Sequence, residues 1–387
     1  MKKRDDSADS AILENLLFPK TEDENPAYLT DQLITYIGNK RSLLDFIGNG
    51  LSHVKKRLNR EKLSVFDVFS GSGIVSRYFK KHSDLLVVND LEKYAEVISR
   101  CYLSNADEID LSHLKKLYKY LLSELDNHPL QSGIISCNYA PMDSSKILKG
   151  ERVFYTVRNA KYIDTARLLI DKIDEKYQHY FLSPLLSEAS IHANTAGVFK
   201  GYYKCRKSGI GQFGGTNGDA LSRITGDINL QFPVFSNFSC RTLILRGDAA
   251  VIADKAPEVD IAYLDPPYNQ HPYGSNYFML NLIADYKMPE RISSVSGIPE
   301  NWNRSSYNNK ADSYNAFKEL ASKLKAKYLL ISFNSEGFIS LDVMVDMLEK
   351  IGKVTVLETK YNTFRGSRNL KNRDIHVKEF LYLVEKY

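Results

Sequence analysis

Residues 63–81 read LSVFDVFSGSGIVSRYFKK, and this stretch decides the fold. The apolar run Leu63 to Phe69 predicts a short strand, Ser70-Gly71-Ser72-Gly73 a tight turn, and Ile74 to Lys81 a helix. A second strand is expected at Leu85 to Val88, closing at Asn89-Asp90 and leading into a helix from about Leu91 to Ser104. Two βα units within about 40 residues call for a parallel sheet, because parallel neighbours need a crossover helix between them.

Working outward, further strands are expected at about Thr242 to Leu245, Val259 to Leu264, Tyr328 to Phe333, Val354 to Thr359 and Phe380 to Val384. Helices fill the gaps near Tyr277 to Tyr286, Ser313 to Ala326 and Leu341 to Ile351. Upstream, Leu33, Ile34, Ile37, Leu43, Leu44, Ile47, Leu51 and Val54 recur at helical spacing, with Gly38-Asn39 breaking the run before Lys40; a loop entering a long helix is the reading. Residues 107–240 differ in character, with amphipathic helices expected at Leu111 to Leu125 and Ile163 to Tyr177 among Gly- and Asn-containing loops. The expectation is an α/β, doubly wound, mostly parallel sheet formed by residues 29–106 and 241–387, interrupted by an inserted, largely helical domain over 107–240. Residues 1–28 carry four basic and seven acidic residues and no sustained apolar period, and are expected to be a mobile leader.

The 387 residues, 43% hydrophobic and 26% charged, suffice for a sizeable core and exclude a mini-protein, a fibre and global disorder. A formal charge of +5 permits a polyanionic partner without demanding one. The cysteines Cys101, Cys137, Cys205 and Cys240 are far apart and lack a nearby His at ligand spacing, so neither a zinc site nor a disulfide framework is suggested and a reducing, cytoplasmic setting fits. The sequence shows no signal peptide and no membrane span.

The sharpest chemical feature is Asp265-Pro266-Pro267-Tyr268, directly after the Val259 to Leu264 strand. Two prolines stop the ladder and lock the backbone, so the carboxylate, the Pro266 carbonyl and the following ring are held at fixed angles. An aromatic face with two converging acceptors suits a planar base bearing an exocyclic amine: Tyr268 stacks while Asp265 and Pro266 accept the amino hydrogens. A structural turn is the plain alternative. The second feature is Asp67-x-Phe69-x-Gly71-x-Gly73, whose glycines let backbone approach a ligand, with Asp90 about twenty residues on, where a carboxylate can take ribose hydroxyls. The absence of a third glycine at Rossmann spacing disfavours a pyrophosphate and favours a ligand with an adenosine but no phosphate.

In order, Tyr36-Ile37-Gly38-Asn39-Lys40, the Asp67 to Gly73 loop, Asp90, Gly247-Asp248 and Asp265 to Tyr268 resemble the motif series of the DNA adenine-N6 methyltransferases of the alpha arrangement, the Dam methylases among them. The resemblance covers residues 31 to 385 and implies a class I S-adenosylmethionine-dependent methyltransferase fold, with the insertion as target-recognition domain. It implies that Tyr36, Ile37, Gly38, Asn39 and Lys40, with Asp67, Phe69, Ser70, Gly71 and Gly73, surround the methionine moiety of S-adenosyl-L-methionine. It further implies that Asp90 holds the ribose, Asp248 and Ala249 meet the adenine, Asp265 borders both ligands, and Asp265, Pro266, Pro267 and Tyr268 take the flipped target adenine. No metal is called for. A Gly-Asp pair before a helix is also the ordinary signature of an N-cap, and both readings of Asp248 stand.

Two basic segments are candidates for gripping duplex DNA. Lys200 to Arg223, with Lys204, Arg206, Lys207 and Arg223, and Lys360 to Asp374, with Tyr361, Arg365 and Arg368, each sum to +4 and are interleaved with aromatics or glycines. Both could equally be solvated faces. The expected enzyme is a monomer modifying adenine N6 in a specific DNA sequence, within a restriction–modification system that admits a cognate endonuclease as partner. The alternatives are a ribosomal RNA adenine-N6 methyltransferase and a non-catalytic DNA-binding relative.

Overall fold

The strands β1 (Leu63–Asp67), β2 (Ser83–Asp90), β3 (Arg241–Arg246), β4 (Val259–Leu264), β5 (Ala326–Asn334), β6 (Gly352–Asn362) and β7 (His376–Lys386) form one sheet in the order β3-β2-β1-β4-β5-β7-β6. These come from a computed structural model, which describes residues 23–215, 218–267, 270–362 and 376–387. Strands β3, β2, β1, β4 and β5 run parallel, and β7 is antiparallel to both its neighbours. All six residues of β4 are buried; five are apolar, as the middle of a parallel sheet requires, and the sixth, Asp260, is held by Arg60, Ser64 and Lys327.

Helices cover both faces. On one, α2 (Leu44–Leu58) and α3 (Ile74–Lys80) bury Ile47, Leu51, Val54 and Phe79 against Val65, Ile261, Leu330 and Leu381. On the other, α10 (Ala249–Lys255), α13 (Ser313–Lys323) and α14 (Leu341–Leu348) pack Ile252, Phe317, Leu320 and Met344 on Phe66, Val87, Leu264 and Ile331. Helix α4 (Lys93–Tyr102) follows β2.

The inserted segment holds α5 (Leu111–Asn127), α6 (Ile134–Tyr139), α7 (Val157–Ile170), α8 (Glu175–Ile191) and the short α9 (Leu221–Thr225). It shares one core with α4 and with α12 (Phe278–Asp285): Leu121, Phe154, Ile163, Phe181 and Leu185 belong to the same buried cluster as Val97, Ile98, Phe278 and Leu282. The single helix expected over 163–177 is two. Thr156 starts α7 earlier by accepting from Asn159 N at 3.2 Å, and Asp174 caps α8 by accepting from Lys176 N at 3.2 Å, so the chain breaks between them. Before α12 stands the four-residue helix α11 (Tyr273–Asn276).

The expected leader is a second correction. Residues 1–22 lie outside the described residues, but 23–28 are built into the fold. Asn25 caps α1 (Pro26–Thr30), Tyr28 is fully buried with its hydroxyl donating to Tyr102 O at 2.5 Å, and Glu24 accepts from Ser236 Oγ and Asn237 N. Arg77, buried beneath α1, donates to Tyr28 O. Replacing Tyr28 by Phe leaves the Tyr102 carbonyl unpaired in the core. It should lower unfolding stability by about 1–2 kcal/mol, read as a reduced urea midpoint at unchanged slope; an unchanged midpoint would place this segment outside the cooperative fold.

Candidate active site

Strands β3, β2, β1 and β4 are parallel, so their carboxyl ends lie side by side, and the sheet order reverses between β1 and β4. Asp67, Asp90, Asp248 and Asp265 all stand at or just past those ends. A cleft of about 840 Å³, solvent at its mouth included, opens there. Tyr36, Gly38, Asn39, Lys40, Phe69, Ser70, Gly71, Asp90, Asp248, Ala249, Asp265 and Pro267 line it, so one cavity joins the glycine turn to the diproline corner. Ile37, Asp67, Gly73 and Pro266 lie within two residues of lining residues along the chain, and Tyr268 lies outside the described residues.

Local contacts of the glycine turn and the strand-end carboxylates shape the cleft. Gly71 has φ +52°, and a Cβ there would come within 2.9–3.1 Å of the Tyr36 ring, so only glycine lets this loop pass. Asp67 is buried and accepts from Ser76 Oγ at 2.5 Å, tying β1 to α3; burial pushes its carboxyl up to about 7. Asp90 accepts from Gly71 N through one oxygen (2.8 Å) and from Glu92 N through the other (2.9 Å), so it first holds the glycine turn and then faces the cleft. Asp248 is an N-cap, accepting from Ala250 N at 3.0 Å, and also lines the cleft.

The Tyr36 to Lys40 turn is pinned from the far side of the chain. Tyr36 stacks on Tyr273 (5.0 Å between centroids) and on Tyr277 (4.9 Å). Ile37 N donates to Tyr277 Oη at 2.8 Å, and the Tyr273 hydroxyl donates to Ile37 O at 3.1 Å. This delivers Lys40, 4% exposed, into the site. Its Nζ lies 3.3 Å from Asp265 Oδ1 and 2.6 Å from Glu379 Oε1. Burial raises the Asp265 carboxyl to about 7, with Lys40 opposing and Glu379 adding to the rise.

Several lining residues give no sequence signal. Asn303, Ser305, Tyr307 and Asn308 come from the irregular segment between α12 and α13 and roof the cleft; Tyr307 meets Phe69 edge-on at 5.2 Å. Glu92 accepts from Asn281 Nδ2 at 2.5 Å and Asn303 Nδ2 at 3.0 Å, and burial pushes it up to about 7. Asn89, buried beside it, donates to Val68 O and Gly247 O and so stitches the loops after β1 and β3. Only Glu92 and Asn89, which flank Asp90 in sequence, could have been found by extending that motif. Among the described residues no cluster of His, Cys, Asp or Glu is placed to hold a metal ion.

A family model described as D12 class N6 adenine-specific DNA methyltransferase matches residues 36–347, a span that runs from the Tyr36 turn through the diproline corner. The chain belongs to that family. It is an enzyme that methylates N6 of adenine in DNA, and the sheet order is that of class I methyltransferases. The chain is 30% identical over 361 residues to the Type II methyltransferase M.NlaIII of Neisseria lactamica, covering 91% of this chain and 99% of the relative. To the Type II methyltransferase M.CviAII of Paramecium bursaria Chlorella virus 1 it is 29% identical over 357 residues, covering 91% and 98%. To the Type II methyltransferase M.FokI of Planomicrobium okeanokoites it is 27% identical over 365 residues, covering 91% of this chain and 52% of that longer protein.

In this D12 methyltransferase the expected DNA-contacting residues fall into three groups. Lys204, Arg206 and Lys207 are exposed on a turn closed by the Lys204–Gly211 bridge, with Lys204 Nζ 4.8 Å above the Tyr202 ring. Arg223 is half-buried, and its guanidinium donates to the carbonyls of Ile191, Ala193 and Thr195 at the C-terminal end of α8. Arg365 and Arg368 lie outside the described residues, as does the side chain of Tyr361. His192 and Asn194 are likewise engaged with backbone, His192 Nδ1 with Arg223 O at 2.6 Å and Asn194 Nδ2 with Val153 O at 2.7 Å. No helix among the described residues is long and apolar enough to cross a membrane.

Because both Asp90 oxygens accept backbone amides, Asp90→Asn should turn an NH₂ against one of them and destabilise the fold by about 1–3 kcal/mol. Thermal unfolding of the protein without ligands checks this; an unchanged midpoint would mean that the two amide contacts carry nothing.

Proposed function

We propose that this methyltransferase modifies one adenine of a specific duplex DNA sequence after flipping it out of the stack, with S-adenosyl-L-methionine held in the cleft described above. The observation that carries the reading is the continuity of that cleft from Gly71 to Asp265 and Pro267. The donor set suits a cationic cofactor with a purine. Asp90, Glu92, Asp248 and Asp265 line the cleft against Lys40 as the one cationic side chain among the described lining, and Phe69 with Tyr307 provides aromatic wall.

In this reading the Gly38 to Lys40 and Ser70 to Gly71 backbones lie along the methionine moiety, Asp90 takes the ribose hydroxyls, and Asp248 with Ala249 takes the cofactor's adenine. When bound, S-adenosylmethionine supplies an electrophilic methyl group. The protein's part is to make the target amine a nucleophile, since its lone pair is delocalised into the ring. Asp265 and the Pro266 carbonyl accept the amino hydrogens and so favour a pyramidal nitrogen. The nitrogen sheds one proton as its new bond to carbon forms, and Asp265, already hydrogen-bonded to it, is the acceptor. A carboxyl pushed up to about 7 is matched to that task near neutral pH. Flipping costs a few kcal/mol, and stacking on Tyr268 at about 1–3 kcal/mol offsets much of it.

Residues 107–240 act as the target-recognition domain, with the Lys204 to Lys207 turn and the Arg365 and Arg368 segment meeting phosphates. The Type II names of its relatives support a restriction–modification role, with a cognate endonuclease reading the same sequence. The enzyme works in the cytoplasm as a monomer on this reading.

Purified protein with radiolabelled S-adenosylmethionine should label duplex DNA at adenine N6 and leave ribosomal RNA blank; the opposite pattern would overturn the substrate assignment. Asp265→Asn should abolish transfer while cofactor and DNA affinities hold. In the wild type, kcat/KM should rise with pH through about 7, because below that value the carboxylic acid cannot accept the amine's hydrogen. A flat profile from pH 5 to 9 would remove Asp265 from the proton's path. Alanine at Lys204, Arg206 and Lys207 together should reduce the salt slope of DNA binding by about 0.9 for each phosphate that the turn no longer neutralises. The same slope as wild type would clear that turn.

A further inference from the structure

Glu379 is the buried ionisable group of the site for which the methyl-transfer scheme has no use. It sits on β7, opposite Asn334 of β5 and Thr359 of β6, and is 1% exposed. Its Oε1 accepts from Lys40 Nζ at 2.6 Å and from Ser332 Oγ at 2.7 Å. Among the described residues its Oε2 is buried without a hydrogen-bond partner. An oxygen left unsatisfied in the interior is costly, and Glu379 is 1% exposed and stands outside the residues that line the cleft. What it does touch is Lys40, and Lys40 touches Asp265.

We propose that Glu379 is a positioning residue for methyl transfer, acting through Lys40. It anchors the ammonium at a point between two carboxylates, and the ammonium in turn holds the Asp265 carboxylate in the orientation that receives the target amine. The inference rests on the assignment of Asp265 to that amine. The physical argument is one of shared charge. A lysine ammonium rides on a flexible four-carbon stem, and one carboxylate at 3.3 Å does not fix its direction. A second carboxylate at 2.6 Å, itself fixed by Ser332 on β5, does. The same arrangement divides the pull of Lys40, so that Asp265 is not drawn down to an inert carboxylate by a cation of its own. The other groups facing Asp265 are Asp67 from β1 and Tyr263 from β4, and neither is cationic.

The test is Glu379→Gln, which keeps the size of the side chain and removes its charge. Cofactor affinity and KM for DNA should stay within about twofold of wild type, while the single-turnover rate falls between about tenfold and a hundredfold. The acid limb of the pH–rate profile should move to lower pH, because Asp265 is freed of a like charge and has the undivided attraction of Lys40. A purely structural Glu379 would reduce rate and stability together and leave the limb in place, and that outcome overturns the proposal. Glu379→Asp restores the charge at shorter reach. It should keep the limb at the wild-type position while the rate remains reduced; full activity in this variant would show that the position of the carboxylate is immaterial and would also overturn the proposal. Asp265→Asn serves as the companion. If it remains active, the assignment of Asp265 fails; if it is dead while Glu379→Gln has the wild-type rate and limb, only the role of Glu379 fails.

Discussion

A sheet whose strand order reverses between two parallel neighbours brings the carboxyl ends of several strands to one edge, and this protein places a carboxylate at four of them. That crowding is the constraint the site answers to. Carboxylates in a partly dry cleft lose their hydration and are pushed toward the protonated form, as the rise of Asp67, Glu92 and Asp265 to about 7 reflects, with neighbouring carboxylates adding a smaller push. Each has a compensation. Asp67 has a serine hydroxyl, Asp90 two backbone amides, Glu92 two asparagine amides, and Asp265 a buried ammonium. The groups left for ligands are the capacities these partners do not use.

Lys40 reaches its place by an indirect route. It belongs to a turn near the start of the described chain, while the tyrosines that clamp that turn, Tyr273 and Tyr277, follow the diproline corner. The clamp therefore joins a segment that borders the cleft at one end to the segment that carries the corner. Helix α12 extends the connection: Asn281 on it holds Glu92 at the far end of the cleft, and Phe278 and Leu282 on it enter the core of the inserted segment. The insertion is thus fastened to the catalytic sheet through α12 and α4 together.

The legible parts of the fold are those with strong local chemistry. Strand β4 is readable to its observed ends because five of its six residues are apolar and two prolines follow it, and the turn at Gly71 because two glycines follow a run rich in Val and Phe. The helix pair α7 and α8 reads as one, since periodicity carries across a four-residue break whose only markers are two capping side chains. Residues 24–28 read as leader because their composition is polar, yet Tyr28 and Glu24 find partners far along the chain. The backbone carbonyls that Arg223 meets are invisible in its charge run, because such a run does not say which of its members also bind backbone.

Consecutive residues alone establish the sheet class, the glycine turn, the diproline corner and most of the acids of the cleft, because each of these is a property of a short stretch of chain. Packing settles which of those acids keep an oxygen free, buries Lys40 between Asp265 and Glu379, and lays an irregular segment bearing Tyr307 and Asn303 over the cleft as its roof. Those contacts join residues up to 339 positions apart. Local pattern carries no trace of such pairs, since burial and charge pairing are fixed only once the strands have come together.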